Sequence, residues 1–160
     1  MLPPYRAQLE QKVQTIMPSY SLINGVKMHA HDSLMNKVLK GEMGFEGFLI
    51  SDWQAIHEIP DQTFEQQIAT SINAGVDMLM EPEKWKEALE LLVKNVKDGN
   101  ISQERIDNAV TRILRVKFES GLFEDPAQRI NQNKATQLRS EEAKSVATCL
   151  LYTSPSPRDA

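Results

Sequence analysis

The run Gly44-Phe45-Glu46-Gly47-Phe48-Leu49-Ile50-Ser51-Asp52-Trp53 sets a carboxylate and an indole directly behind a short apolar stretch. A buried strand ending in Asp is a rigid mount for a nucleophile or a general base. In open α/β sheets and α/β barrels, ligands collect at that carboxyl end. Trp53 adds a flat apolar face suited to stacking on a sugar ring, with an N–H donor at its edge. Both residues also have plainer readings. An Asp after a strand can cap the next helix, and a Trp beside it can fill the core.

Other groups offer less. His29, His31 and His57 are the only histidines. The close His29-Ala30-His31 pair suggests a metal site, but strand alternation is the simpler context, and no carboxylate or cysteine completes a metal-binding spacing. Cys149 is the only cysteine, which excludes an internal disulfide and a Cys-rich zinc site. Glu46, Glu58 and Asp77 are the other carboxylates near strand ends. Asp77 falls within a strand, where a structural hydrogen-bonding role fits it best.

The elements that must position these groups follow from hydrophobic periodicity. Val13 to Met17, Phe48 to Ile50 and Val76 to Met80 read as short strands. Bounded by Gly47 and Gly75, the last two suit a parallel sheet buried on both faces. Asp32 is placed to cap a helix carrying Leu34, Met35, Val38 and Leu39 and stopping at Gly41. A second helix is expected from about Thr63 to Asn73. A third carries Trp85, Ala88, Leu89, Leu92, Val93 and Val96, between Pro82 and Asp98-Gly99-Asn100. The fourth has Ser102 as its N-cap and a staple of Ile101 on Ile106. Its predicted buried stripe is Ile106, Ala109, Val110, Ile113 and Leu114. Asn24-Gly25 reads as a turn. This alternation is that of βαβ units, and suits either a small open sheet or the later part of a (β/α)8 barrel.

With 41% hydrophobic and 25% charged residues, the chain has a globular composition. A net charge of −4 gives no basic footprint for nucleic acid, and no apolar run is long enough for a membrane span. MLPPYRAQLE lacks the pattern of a signal peptide.

The segment Ser19-Tyr20-Ser21-Leu22-Ile23-Asn24-Gly25-Val26-Lys27-Met28-His29-Ala30, followed by GFEGFLISDW, resembles the barrel domain of family 3 glycoside hydrolases, in their β-glucosidase and exo-β-glucan hydrolase branch. Asn73-Ala74-Gly75-Val76-Asp77-Met78 and the stretch Arg105 to Phe118, ending in Gly121-Leu122-Phe123, are similar too. The resemblance covers residues 2 to 148. It implies an α/β fold, the C-terminal part of a (β/α)8 TIM-type barrel. It implies that Asp52 is the nucleophile of a retaining, exo-acting hydrolase, and that Trp53 is one wall of an aromatic clamp on the next sugar. It sets Tyr20 near the reacting sugar and Met17 in the same subsite. His29 lies in a family motif but reads as a framework histidine. His31, where many relatives carry Asn, and the region of Glu58, where plant-type members carry a basic residue, put the outer-subsite preference in question. No metal or organic cofactor is implied. The expected partner is a β-glucoside or β-glucan oligosaccharide.

A retaining glycosidase needs two carboxyl groups about 5–5.5 Å apart. In this branch the acid/base Glu comes from a second, α/β-sandwich domain. The domains expected are therefore a partial barrel over 1–123, a linker over 124–139, the start of the sandwich over 140–148, and an ending over 149–160 that resembles a translated sequencing-library adapter. The chain alone is expected to be inactive. Its parent is expected to be periplasmic or secreted, with a signal peptide upstream. A β-N-acetylhexosaminidase of the same family and an inactive sugar-binding homologue are the competing readings. Trp53 argues against the first, because that branch usually shows an acidic residue after the nucleophile.

Overall fold

The computed structural model describes residues 2–124 and 140–153. It divides into two compact units, Met1–Ser120 and Gly121–Ala160.

In the first unit, helix α1 (Leu2–Glu10) leads into strand β1 (Thr15–Ile16), shorter than the expected Val13–Met17. Strands β2 (Leu22–Ile23) and β3 (Val26–Lys27) form an antiparallel hairpin. Asn24 and Gly25 make its two-residue turn, both with positive φ (52° and 81°), which matches a primed hairpin turn. Strand β4 (Phe48–Leu49) pairs parallel with β1, Thr15 facing Phe48 and Ile16 facing Leu49. The close approach requires Gly47, where a Cβ would collide with the Gln14 carbonyl. Beyond β4 lies the expected third strand, reduced to a parallel bridge between Ile50 and Met78. Leu49 O accepts from the amides of Asp77 and Met78, and Met78 O accepts from Ser51 N. Order and direction are those of βαβ units.

One α-helix crosses from β4 to the Met78 bridge, and two more of this unit follow that bridge in the chain. Thr63 and Gln66 form a capping box at the start of α2 (Phe64–Asn73). Helix α3 is Trp85–Lys97, and Ser102 caps α4 (Gln103–Glu119) by accepting Arg105 N at 3.1 Å. Two apolar clusters result. Met35, Leu39, Phe45, Leu49, Ala74 and Val76 fill one; Ile56, Ile59, Ile68, Ile72, Ala88 and Ile101 fill the other, with Ile106 packed on it as expected.

Two expectations are corrected. The helix after Asp32 is a π-helix, Ser33–Glu42, that runs through Gly41. Asp32 already has helical φ and ψ, so its side chain does not cap; it accepts from Asn36 Nδ2 at 2.8 Å instead. In α4, Ala109 and Val116 are buried, while Val110 and Leu114 stay exposed. The helix is rotated because Arg105 and Arg112 occupy its inward face. Arg112 donates to the carbonyls of Phe45 and Gly47, and Arg105 to those of Ile72 and Val76.

In the second unit Ser140 Oγ accepts Ala143 N at 3.1 Å and starts helix α5 (Glu141–Thr153). That helix continues through Cys149, past the boundary expected after 148. The expected linker, apart from Glu124, and residues 154–160 lie outside the described residues.

Candidate active site

Asp52 lies three residues past the end of β4, at the carboxyl end of the parallel sheet, as its position in the sequence predicts. Its backbone is held on both sides. The Asp52 amide donates to Nε2 of His29 at 3.0 Å. Its carbonyl accepts from Ser51 Oγ at 3.0 Å and from Ala55 N at 3.2 Å. Of the carboxylate, Oδ1 accepts the Trp53 amide at 2.7 Å. A carboxylate so placed is fixed in direction while Oδ2 makes no hydrogen bond among the described residues, the disposition a nucleophile needs. The plainer reading of Asp52 as a cap of the next helix is not met. The 3-10 helix Ala55–Glu58 has Gln54 at its N-cap with no side-chain cap, and among the described residues the Asp52 carboxylate bonds only the Trp53 amide ahead of it.

Trp53 is 56% exposed, so it is not core. The turn beneath it is anchored. Gln54 adopts φ 50°, a left-handed conformation costing a non-glycine residue about 1–2 kcal/mol. Its amide reaches Met80 O at 3.0 Å, and Met80 N in turn donates to Ser51 Oγ at 2.7 Å. These bonds fasten the Trp53 turn to the end of the third strand.

Met17 directly follows β1, and the pairing of Ile16 with Leu49 brings it to the same sheet end as Asp52. It is 45% exposed. Tyr20, also exposed, lies just before the hairpin. Lys27 Nζ stands 5.6 Å from its ring centroid and 3.3 Å from Glu58 Oε2, linking Tyr20 to the 3-10 helix Ala55–Glu58 that follows Trp53. Sheet register thus gathers Met17 and Asp52, and the Lys27 link ties Tyr20 to the loop after Trp53.

Sequence reasoning missed Glu81 as a candidate. Its buried carboxylate, just past the third strand, meets His57 Nε2 at 2.9 Å, and its Oε1 has no partner. The His57 ring stacks on Phe64, 4.5 Å between centroids. An acidic residue before Pro82 carries no distinguishing mark in the sequence; only the strand end makes it visible.

His29 is buried, and that burial lowers its pKa, with the Asp52 carboxylate opposing and Lys27 reinforcing the shift. Among the described residues no three of His, Cys, Asp and Glu come together to hold a metal ion, and the His29–His31 pair has other bonds: His31 Nδ1 lies 3.4 Å from Ser33 Oγ. Asp77 takes the structural role expected of it. Its carboxylate accepts from Leu49 N, Lys40 and Arg105. Glu46 precedes β4, so it sits at the wrong end of the sheet for Asp52. A cavity of about 630 Å³ opens there too, lined by Gln14, Glu46 and Gly47 among others.

Residues 1–116 match the model of the glycosyl hydrolase family 3 N-terminal domain. The chain belongs to glycosyl hydrolase family 3. Its parallel strands and crossover helices are part of that family's (β/α)8 barrel. Among named relatives, a periplasmic β-glucosidase of Salmonella typhimurium is 30% identical over 158 residues, covering 91% of this chain and 20% of its own length. A lysosomal β-glucosidase of Dictyostelium discoideum is 35% identical over 117 residues, covering 70% of the chain and 14% of the relative. Of solved structures, a β-glucosidase from Listeria innocua superposes with a TM-score of 0.79 at 30% identity, over 90% of this chain and 20% of that one. An exo-1,3/1,4-β-glucanase from a Pseudoalteromonas species gives 0.71 at 38%, over 76% and 15%. The chain spans about a fifth or less of the length of these family 3 proteins.

Proposed function

We propose that this stretch carries the nucleophile of a retaining, exo-acting β-glucosidase or β-glucan exohydrolase, whose whole protein releases glucose from non-reducing ends. The observation that carries the reading is Asp52: a carboxylate at the carboxyl end of a barrel strand, with one oxygen tied to its own turn and an exposed Trp beside it. Its relatives' names, β-glucosidase and exo-1,3/1,4-β-glucanase, supply the substrate class.

In the reaction Asp52 attacks the anomeric carbon, the bond to the leaving oxygen breaks, and that oxygen takes a proton from a carboxylic acid. Water then displaces Asp52 from the glycosyl-enzyme, giving up its proton to the same group. That acid comes from the sandwich domain, outside residues 1–123, so the stretch alone does not turn over. Trp53 stacks on the sugar beyond the cut, while Tyr20 and Met17 border the sugar that is released. A periplasmic or secreted location for the whole protein fits the periplasmic relatives. Trp53 favours this branch over the β-N-acetylhexosaminidases. Retained hydrolysis by the whole protein is what separates it from an inactive sugar-binding homologue.

Asp52→Asn or Asp52→Gly in the whole protein is expected to abolish hydrolysis with folding intact. A 2-fluoroglucoside is expected to leave a covalent sugar on the peptide containing Ser51-Asp52-Trp53, read by mass spectrometry. A label on another carboxylate, or near-normal turnover of the variant, overturns the assignment.

A further inference from the structure

His29 lies in the 3-10 turn Met28–Ala30, which the bond from Met28 N to Ser21 O ties to the hairpin. It is 2% exposed, and its Nε2 takes the amide of Asp52 at 3.0 Å across 23 residues of sequence. To accept an N–H, Nε2 must offer a lone pair. His29 is therefore neutral, with its proton on Nδ1. A neutral ring also spares Asp52 a cation at close range, which would draw charge from the attacking oxygen.

The contact falls at a sensitive point. The Asp52 amide and the Trp53 amide flank the same Cα, and the second is held by Asp52's own carboxylate. Rotation of the peptide before Asp52 would swing that whole turn. Ser51 Oγ restrains the carbonyl side, but among the described residues only His29 restrains the amide side.

We propose that His29 is a positioning residue for the nucleophile: by accepting the Asp52 amide it fixes the backbone from which the carboxylate attacks. The inference rests on reading Asp52 as the nucleophile. Its effect belongs to the rate of glycosyl-enzyme formation, since the ring is buried and its bond is to the backbone of the nucleophile. Displacements of about 1 Å in a reacting group can lower rates on the order of 100-fold.

Gln and Met are close in size, and only Gln offers an acceptor near the position of Nε2. In the whole protein, H29M is expected to slow release of dinitrophenol from 2,4-dinitrophenyl β-glucoside in the first turnover by about 10- to 100-fold. Its inhibition constant for glucose should stay within about threefold, since ground-state binding does not need the Asp52 backbone. H29Q should recover most of that rate. Equal rates in H29M and the native enzyme, or equal losses in H29M and H29Q, overturn the role. Should H29M fail to fold, ¹⁵N spectra of the native enzyme with labelled histidine decide: a proton on Nε2 of His29 at working pH overturns it. Failure of the underlying reading looks different. In that case Asp52→Asn keeps its turnover, whereas failure of the His29 role alone leaves Asp52→Asn inactive and H29M fast.

Discussion

Lys40, on the π-helix, places its Nζ 2.9 Å from both carboxylate oxygens of Asp77, the residue before the Met78 bridge. The pair is buried, the Lys40 and Asp77 side chains being 8% and 0% exposed. Arg105 adds a bond to Asp77 Oδ1 at 2.7 Å, and the backbone amide of Leu49 another to Oδ2 at 2.8 Å. Asp77 thus joins the π-helix, β4 and α4. Removing it strands two cations in the interior, and breaking a buried pair in this way costs about 3–5 kcal/mol. Asp77→Asn is expected to lower the unfolding transition of the barrel by that order in chemical denaturation. A loss below about 1 kcal/mol would show that the network adds little.

The same pair gives a pH dependence. Burial, outweighing the attraction of Asp77, lowers the Lys40 pKa from 10.5 to about 8. Below about pH 8 the ammonium is charged in the folded and unfolded protein alike. Between about 8 and 10.5 the folded protein has lost that proton while the unfolded chain keeps it. The unfolded state then binds more protons, so this group makes the unfolding free energy rise with pH across that window, by at most about 1.4 kcal/mol per unit. K40M removes the term. The native slope of stability against pH should exceed that of K40M between those values, and parallel slopes would contradict the shift.

Ser51 has a smaller but sharper role. It is 1% exposed, and its hydroxyl accepts Met80 N while donating to the carbonyl of Asp52. Ser51→Ala leaves the Met80 amide without its acceptor, at a cost of about 1–3 kcal/mol. It also removes one of the two bonds on the Asp52 carbonyl, leaving the one from Ala55 N at 3.2 Å. We therefore expect a loss of stability together with a fall in kcat, and little change in glucose binding. A stability loss with kcat intact would confine Ser51 to the fold.

What the sequence conveys about this architecture depends on range. The cap at Ser102, the helix beginning near Thr63, the Asn24-Gly25 turn and the order of the strands are local or periodic signals, and they appear where expected. The π-helix was not legible, because over ten residues its apolar spacing differs little from that of an α-helix. The rotation of α4 was hidden for a different reason. Periodicity treats Arg105 and Arg112 as outward residues, yet their long stems carry the guanidinium groups to carbonyls of other elements. At the site, Asp52 and Trp53 stood out as a strand-end pair. The grip of His29 on the Asp52 amide, and the buried Glu81–His57 pair, join residues more than 20 positions apart and leave no local mark.

Trp53 provides the test of substrate range. Its ring is more than half exposed, so a change to Ala removes little from the core. Its backbone, by contrast, is held by the Asp52 carboxylate before it and by the Gln54–Met80 bond after it, and neither needs the indole. Trp53→Ala should therefore leave the position of Asp52 and the barrel's stability nearly unchanged. What it removes is an aromatic face, worth about 1–3 kcal/mol to a bound ring by burial of apolar area. Small aryl glucosides draw least on that face if it stacks on the sugar beyond the cut. In the whole protein, kcat/KM should fall about 10- to 100-fold for cellobiose, laminaribiose and longer glucans, and severalfold at most for 4-nitrophenyl β-glucoside. Equal losses on all of these substrates would place Trp53 in the support of Asp52 and not in a sugar subsite.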